Sequence, residues 1–130
     1  MTTSSSHADV TVTAADGYYF GILLIDVRGA AGLDPSAVPT TTYYSASTSV
    51  GGTADLSAMG LGLAFVSTNA ATGSLTLTPD NGEVYIGTPL SPSYDVTLIY
   101  ANVWSPAAVP VGGSLSTAEA GWVAIDAVDV

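Results

Sequence analysis

Ser74-Leu75-Thr76-Leu77-Thr78, then Pro79-Asp80-Asn81-Gly82, then Glu83-Val84-Tyr85-Ile86: two alternating apolar and polar runs flank an Asn-Gly step. Alternation with period two places one set of side chains on each face of an extended strand. Asn-Gly supplies the positive φ angles that a tight two-residue turn requires. The stretch therefore predicts a β-hairpin and sets the expectation for the rest of the chain.

Working outward, strands are predicted at 8–14, 18–27, 40–48, 61–67, 74–78, 83–87, 93–104 and 121–130. Gly29 to Pro39, Gly51-Gly52, Pro79 to Gly82, Pro89 to Pro92 and Pro106 to Gly113 punctuate them. In 93–104, Tyr94, Val96, Leu98, Tyr100, Asn102 and Trp104 share one face; Asp95, Thr97, Ile99, Ala101 and Val103 share the other. Both faces are mostly apolar, so this strand is expected to be covered on both sides. At the C-terminal end Val123, Ile125 and Ala127 oppose Ala124, Asp126 and Val128, a strand that needs an edge to dock on, in its own sheet or a neighbour's. Helix is limited to one or two short turns, at Asp34-Pro35-Ser36-Ala37, Asp55 to Met59 or the capping-box pattern Ser116-Thr117-Ala118-Glu119. The expected architecture is all-β, an antiparallel β-sandwich or flattened barrel of about seven to nine strands. Residues 1–7 read as a flexible polar arm and 8–130 as a single β domain.

Val50-Gly51-Gly52-Thr53 leads to Gly60 and a strand, and Val111-Gly112-Gly113-Ser114 leads to Gly121 and a strand at the same spacing. A duplicated strand–loop–strand unit would produce this echo. So would chance in a chain rich in Gly, Ala and Ser.

Composition narrows the function classes. The chain has 130 residues, is 48% hydrophobic and only 9% charged, against about a quarter in an average soluble protein. Eleven acids face one cation, Arg28, for a net charge of −10. No basic stripe exists to displace counterions from phosphates, which argues against nucleic-acid binding, and an anionic membrane surface is disfavoured for the same reason. With no cysteine there is no disulfide, thiolate metal site or thiol nucleophile. The N-terminus lacks the basic and apolar regions of a signal peptide, and the apolar run from Tyr18 to Ile25 is too short to span a bilayer.

Candidate chemistry is sparse. His7 and Asp9 form the one His–carboxylate neighbourhood, on the arm, where an acid–base group lacks the positioning that catalysis needs. Asp26, Asp95 and Asp126 lie in predicted strands, but no aromatic and polar cluster surrounds them as a glycosidase cleft requires. Asp80-Asn81-Gly82-Glu83 offers oxygen ligands without the spacing of an EF-hand loop, and the hairpin turn accounts for the same residues. No enzyme activity, cofactor or metal is expected. The Tyr and Trp residues are amphipathic anchors of the kind enriched at protein interfaces. The candidate interface comprises Thr2, Ser4 and Ser6 of the arm with Tyr19, Arg28, Tyr43, Tyr44, Trp104 and Trp122.

The Ser/Thr-rich arm Thr2 to Ser6, the Cys-free Ala/Thr/Gly/Val body, and Gly60-Leu61-Gly62-Leu63-Ala64-Phe65-Val66 followed by Leu75-Thr76-Leu77-Thr78 and Val84-Tyr85 carry a resemblance over about a third of the chain. They resemble tailed-virus virion structural proteins, most closely the small lambda-type head decoration (cement) proteins. The resemblance implies a β-rich protein that binds the major capsid protein or other virion subunits. It also implies a homo-oligomer, often a trimer at local three-fold positions, with the arm ordering on the shell. Its place would be the virion, assembled in the host cytoplasm. Other virion components (tail tube, turret, fibre base) share this composition, and a non-viral carbohydrate- or surface-binding β-sandwich module is the alternative from another class.

Overall fold

The computed structural model describes residues 11, 13, 29, 32–33, 39–68, 76–80, 83–84 and 96–130. Every regular element among them is a strand: β1 Gly32–Leu33, β2 Thr40–Leu56, β3 Gly60–Thr68, β4 Leu77–Pro79, β5 Glu83–Val84, β6 Val96–Val103 and β7 Ala107–Asp129. They form one antiparallel sheet, with the path β1-β7-β3-β6-β5 and with β2 and β4 also paired to β7. The predicted strands at 8–14 and 18–27 lie outside the described residues, apart from Thr11 and Thr13, which are in no strand.

β7 is the spine. Along one edge run β1, at Val128 and Asp129, and then β2, from Ile125 to Ala107. Along the other edge run β3, from Asp129 to Gly121, and β4, from Leu115 to Gly113. The C-terminal strand is therefore laddered on both sides within its own sheet and offers no edge to a neighbour.

Two expectations about local structure are corrected. Among the described residues no ladder joins the two runs of the expected hairpin: β4 pairs with β7, while β5 pairs with β6 through Glu83–Tyr100 and Val84–Ile99, and the Asn81-Gly82 turn itself lies outside the described residues. Ser116 N donates to Thr76 O at 2.9 Å and Asp80 N to Gly112 O at 3.0 Å, tying the run to β7 on either side of β4. The second correction concerns Gly51-Gly52, Pro106 to Gly113 and the capping box at 116–119, read as breaks or turns. All but Pro106 lie in β2 or β7, where Gly51-Gly52 and Ala107 to Gly113 are ladder-paired and Ser116 to Ala118 fall in the register shift of β7. Of the other turns expected, Asp55 and Leu56 end β2, Ser57–Met59 is a bend, and 34–37 lies outside the described residues.

The Val-Gly-Gly echo has a structural meaning. Val50 pairs with Gly113, Gly51 with Gly112 and Gly52 with Val111. The strands that follow also pair with each other, Gly60 with Asp129 through to Thr68 with Gly121. A Cβ on Gly51 would stand 2.6 Å from Gly112 Cα, and one on Gly112 would stand 2.5 Å from Val50 O, so neither position admits a side chain.

The β2–β7 ribbon turns a corner. The register shifts between Tyr44 and Ser47 and again between Ser47 and Ser49, and Ala46 takes a φ of 49°. Ser47 Oγ donates to Ser49 O at 2.7 Å and accepts from Ser49 N at 3.0 Å, stitching the bulge locally. Beyond it the two arms of the ribbon face each other: the space over Gly62 is filled by Val111 Cγ2 and Ala54 Cβ, and that over Gly52 by Ile125 Cγ1. One core results, with Val50, Ala54, Val111 and Leu115 meeting Ala64, Val66, Ile99, Val123, Ile125 and Ala127. Removing such a side chain from water is worth about 2 kcal/mol, and small partners let the arms approach closely. On the opposite face of β3 and β6, Leu63, Leu98 and Val128 form a second cluster with Leu61, Phe65 and Tyr100. β6 is thus covered on both faces, as its alternation required.

Thr68 is buried in this fold, and its Oγ1 has no hydrogen-bond partner among the described residues. An unmade bond of this kind costs more than it stabilises. Thr68→Val, which keeps the shape, is expected to stabilise the protein by about 1 kcal/mol, read as a higher Tm by calorimetry. A lower Tm would show that the hydroxyl is engaged.

Candidate functional site

Tyr43 and Tyr44 are adjacent on β2, so they point to opposite faces, and the two have separate roles. Tyr44 lies opposite Gly121 of β7, and its hydroxyl reaches over that glycine to donate to Ser67 O of β3 at 2.6 Å. A Cβ on Gly121 would collide with Ser67 O and stand 2.5 Å from the Tyr44 hydroxyl oxygen, so glycine here is what admits the tyrosine. Tyr44 joins three strands and is only 9% exposed. It is a core residue, not the interface residue expected from sequence; a strand register, which composition does not reveal, placed it there.

Burial of the Tyr44 phenol, with the negative field of Glu119 added, pushes its pKa from 10.0 up to about 12. The folded state therefore holds a proton that the unfolded state releases first. The stabilisation is complete below pH 10 and declines as the pH rises from 10 toward 12. Tyr44→Phe is expected to lower stability at neutral pH by about 1 kcal/mol, through the lost hydrogen bond. It is also expected to remove the Tyr44 share of the alkaline decline, measured as Tm against pH. An unchanged alkaline slope in the variant would show that the titration belongs elsewhere.

Tyr43 faces outward and pairs in register with Trp122 of β7. Their ring centroids are 5.1 Å apart at an interplanar angle of 61°, an edge-to-face contact. Tyr43 remains 49% exposed and Trp122 50%. On the far side of Trp122 is Ser67 of β3, whose hydroxyl lies 3.5 Å from Trp122 O. The result is an aromatic platform on laddered backbone, bordered by hydroxyl groups. Trp104, at 80% exposed, stands beyond the end of β6, and Met59, also exposed, precedes β3.

Of the remaining candidates, Thr2, Ser4, Ser6, Tyr19 and Arg28, together with His7, Asp9, Asp26 and Asp95, lie outside the described residues. Asp126 is half-buried and its carboxylate accepts from Ala127 N at 2.8 Å, a backbone role. Asp80 is exposed, with Ser114 Oγ 3.5 Å away, and is the one ionisable group lining a cleft of ≈ 200 Å³ over the Val-Gly-Gly crossing. Among the described residues no group of three or more His, Cys, Asp or Glu side chains is placed to hold a metal ion, and no helix is long and apolar enough to cross a membrane.

No protein-family model, curated protein or solved structure matches the chain.

Proposed function

We propose that the chain is a virion structural protein, a capsid decoration protein that stabilises a shell by protein–protein contact. Its bent sheet would be completed as a β-sandwich or flattened barrel of seven to nine strands. The observation that carries this reading is the solvent-facing Tyr43–Trp122 pair. Large aromatics held rigidly on a ladder lose little entropy on binding and bury extensive area. The resemblance to lambda-type cement proteins supplies the kind of partner, the major capsid protein. The net charge of −10 favours a basic docking surface.

Sheet pairing provides a control for this surface. Leu61 and Asn102 pair across β3 and β6 where Trp122 and Tyr43 pair across β7 and β2, each pair one step in from a glycine (Gly60, Gly121). Replacing the aromatics by the residues of that other pair, Trp122→Leu with Tyr43→Asn, removes the platform with residues the same sheet already carries. The expected outcome is a folded protein whose affinity for shells of the major capsid protein, read by co-sedimentation, falls at least tenfold, or about 1.4 kcal/mol. Undiminished binding would reject the platform as the anchor. Deleting residues 2–8 tests the arm separately, and weaker shell binding is expected. A stable monomer at high dilution with affinity for glycans and none for shells would replace the virion reading by a carbohydrate-binding one.

A further inference from the structure

We infer that the chain is two copies of one strand–corner–strand unit fused in tandem, and that the surface joining its halves is self-complementary, its partner being a second copy of that unit. A single antiparallel ladder has a local two-fold of its own, so the pairing of two strands shows nothing. The inference rests on three coincidences beyond that.

The first is a shared offset. The sequence echo relates Val50 to Val111 and Gly60 to Gly121, 61 positions apart in both cases. The same 61 separates Gly51 from its ladder partner Gly112, and Ala64 from its ladder partner Ile125. Those two pairs would sit on a two-fold axis, one in each arm of the bent sheet. The arms stack them together, for a Cβ on Gly52 would stand 2.8 Å from Ile125 Cγ1.

The second is strand order. Thr40–Tyr44 flank Ile125–Gly121 on the outer edge of β7, and Ile99–Val103 flank Ala64–Gly60 on the outer edge of β3. The order β2-β7-β3-β6 therefore reads the same from either side, as a two-fold requires, with the flanking strands related by 59 positions, two fewer than the glycines. The third coincidence lies upstream, in sequence alone. Val10-Thr11-Val12-Thr13 precedes Gly17 as Leu75-Thr76-Leu77-Thr78 precedes Gly82, at a constant offset of 65.

A unit of half this length buries a small share of its surface, and a second copy supplies the missing face. The copies agree at Gly51/Gly112, Gly52/Gly113 and Gly60/Gly121 and differ elsewhere, in the buried β3–β7 ladder (Ala64/Ile125, Val66/Ala127) as well as toward solvent. Tyr43 corresponds to Asn102, Trp122 to Leu61, Trp104 to Ser45 and Met59 to Ala120. Fusion permits this divergence, because one copy can carry an outward aromatic without the other.

The inference is independent of the virion reading and is tested on residues 8–130. A circular permutant begins at residue 73, runs to 130, passes through a second set of residues 69–74 and continues from residue 8 to 72. If the halves are copies, this joint spans the same gap as the native one. The expected result is a folded protein with the parent's oligomeric state and a Tm within a few degrees of it. A permutant that is unfolded or aggregated overturns the inference. In the unpermuted chain, Gly60→Ala and Gly121→Ala each drive a Cβ against the facing strand's carbonyl, Val128 O and Ser67 O. Copies predict Tm losses alike within about a factor of two; a loss at one site only also overturns it.

Discussion

Gly51 and Gly112 face each other across the β2–β7 ladder with no room for a side chain between them, and the compactness of the fold depends on that close approach. A long two-stranded ribbon left straight would expose one whole apolar face to water. Bent at Ala46–Ser49, it lays Val50, Ala54 and Val111 against Val66, Val123 and Ile125, and a core forms from small and β-branched residues. Large side chains at the crossing would hold the arms apart. The composition that looks poor in anchors is the one this geometry needs.

The corner has a structural price, met by specific groups. Ser47 supplies both a donor and an acceptor to Ser49 where the ladder slips. Tyr44, just before the slip, spans Gly121 to bond Ser67 O, which fixes β2, β7 and β3 together at the bend. The related corner behaves differently. Ser57–Met59 and Trp104–Pro106 are bends at which β2 and β6 end and β3 and β7 begin. Pro106 cannot donate to a ladder there. One corner is sealed by hydrogen bonds and the other is left with exposed Met59 and Trp104. Among the described residues Met59 and Trp104 stand at this second corner, while Phe65 and Tyr100 pack in the middle of the sheet.

Legibility from sequence followed the range of the interaction. The all-β class came from period-two alternation, and so did the two-sided burial of 97–103 and the inward set Val123, Ile125, Ala127. Those are properties of a strand and the water around it. Tyr43 and Trp122, candidate interface residues by their chemistry, are half-exposed. Tyr44 was named with them and is core, since adjacent strand residues face opposite ways and only the register decides which of two tyrosines turns inward. The two runs flanking Asn-Gly met the same limit: among the described residues Leu77–Pro79 pairs with β7 and Glu83–Val84 with β6.

The glycines show most plainly where the division lies. The sequence by itself determined that Val50-Gly51-Gly52 and Val111-Gly112-Gly113 are alike, that the chain is extended rather than helical, and that its charge is overwhelmingly negative. It marked the glycines as breaks, because a residue without Cβ weakens an isolated strand. Only the tertiary structure decided that they are strand, because their value lies in the backbone that each lets approach from across the ladder. A contact between residues 61 apart leaves no trace in local periodicity; it exists only once the ribbon has bent.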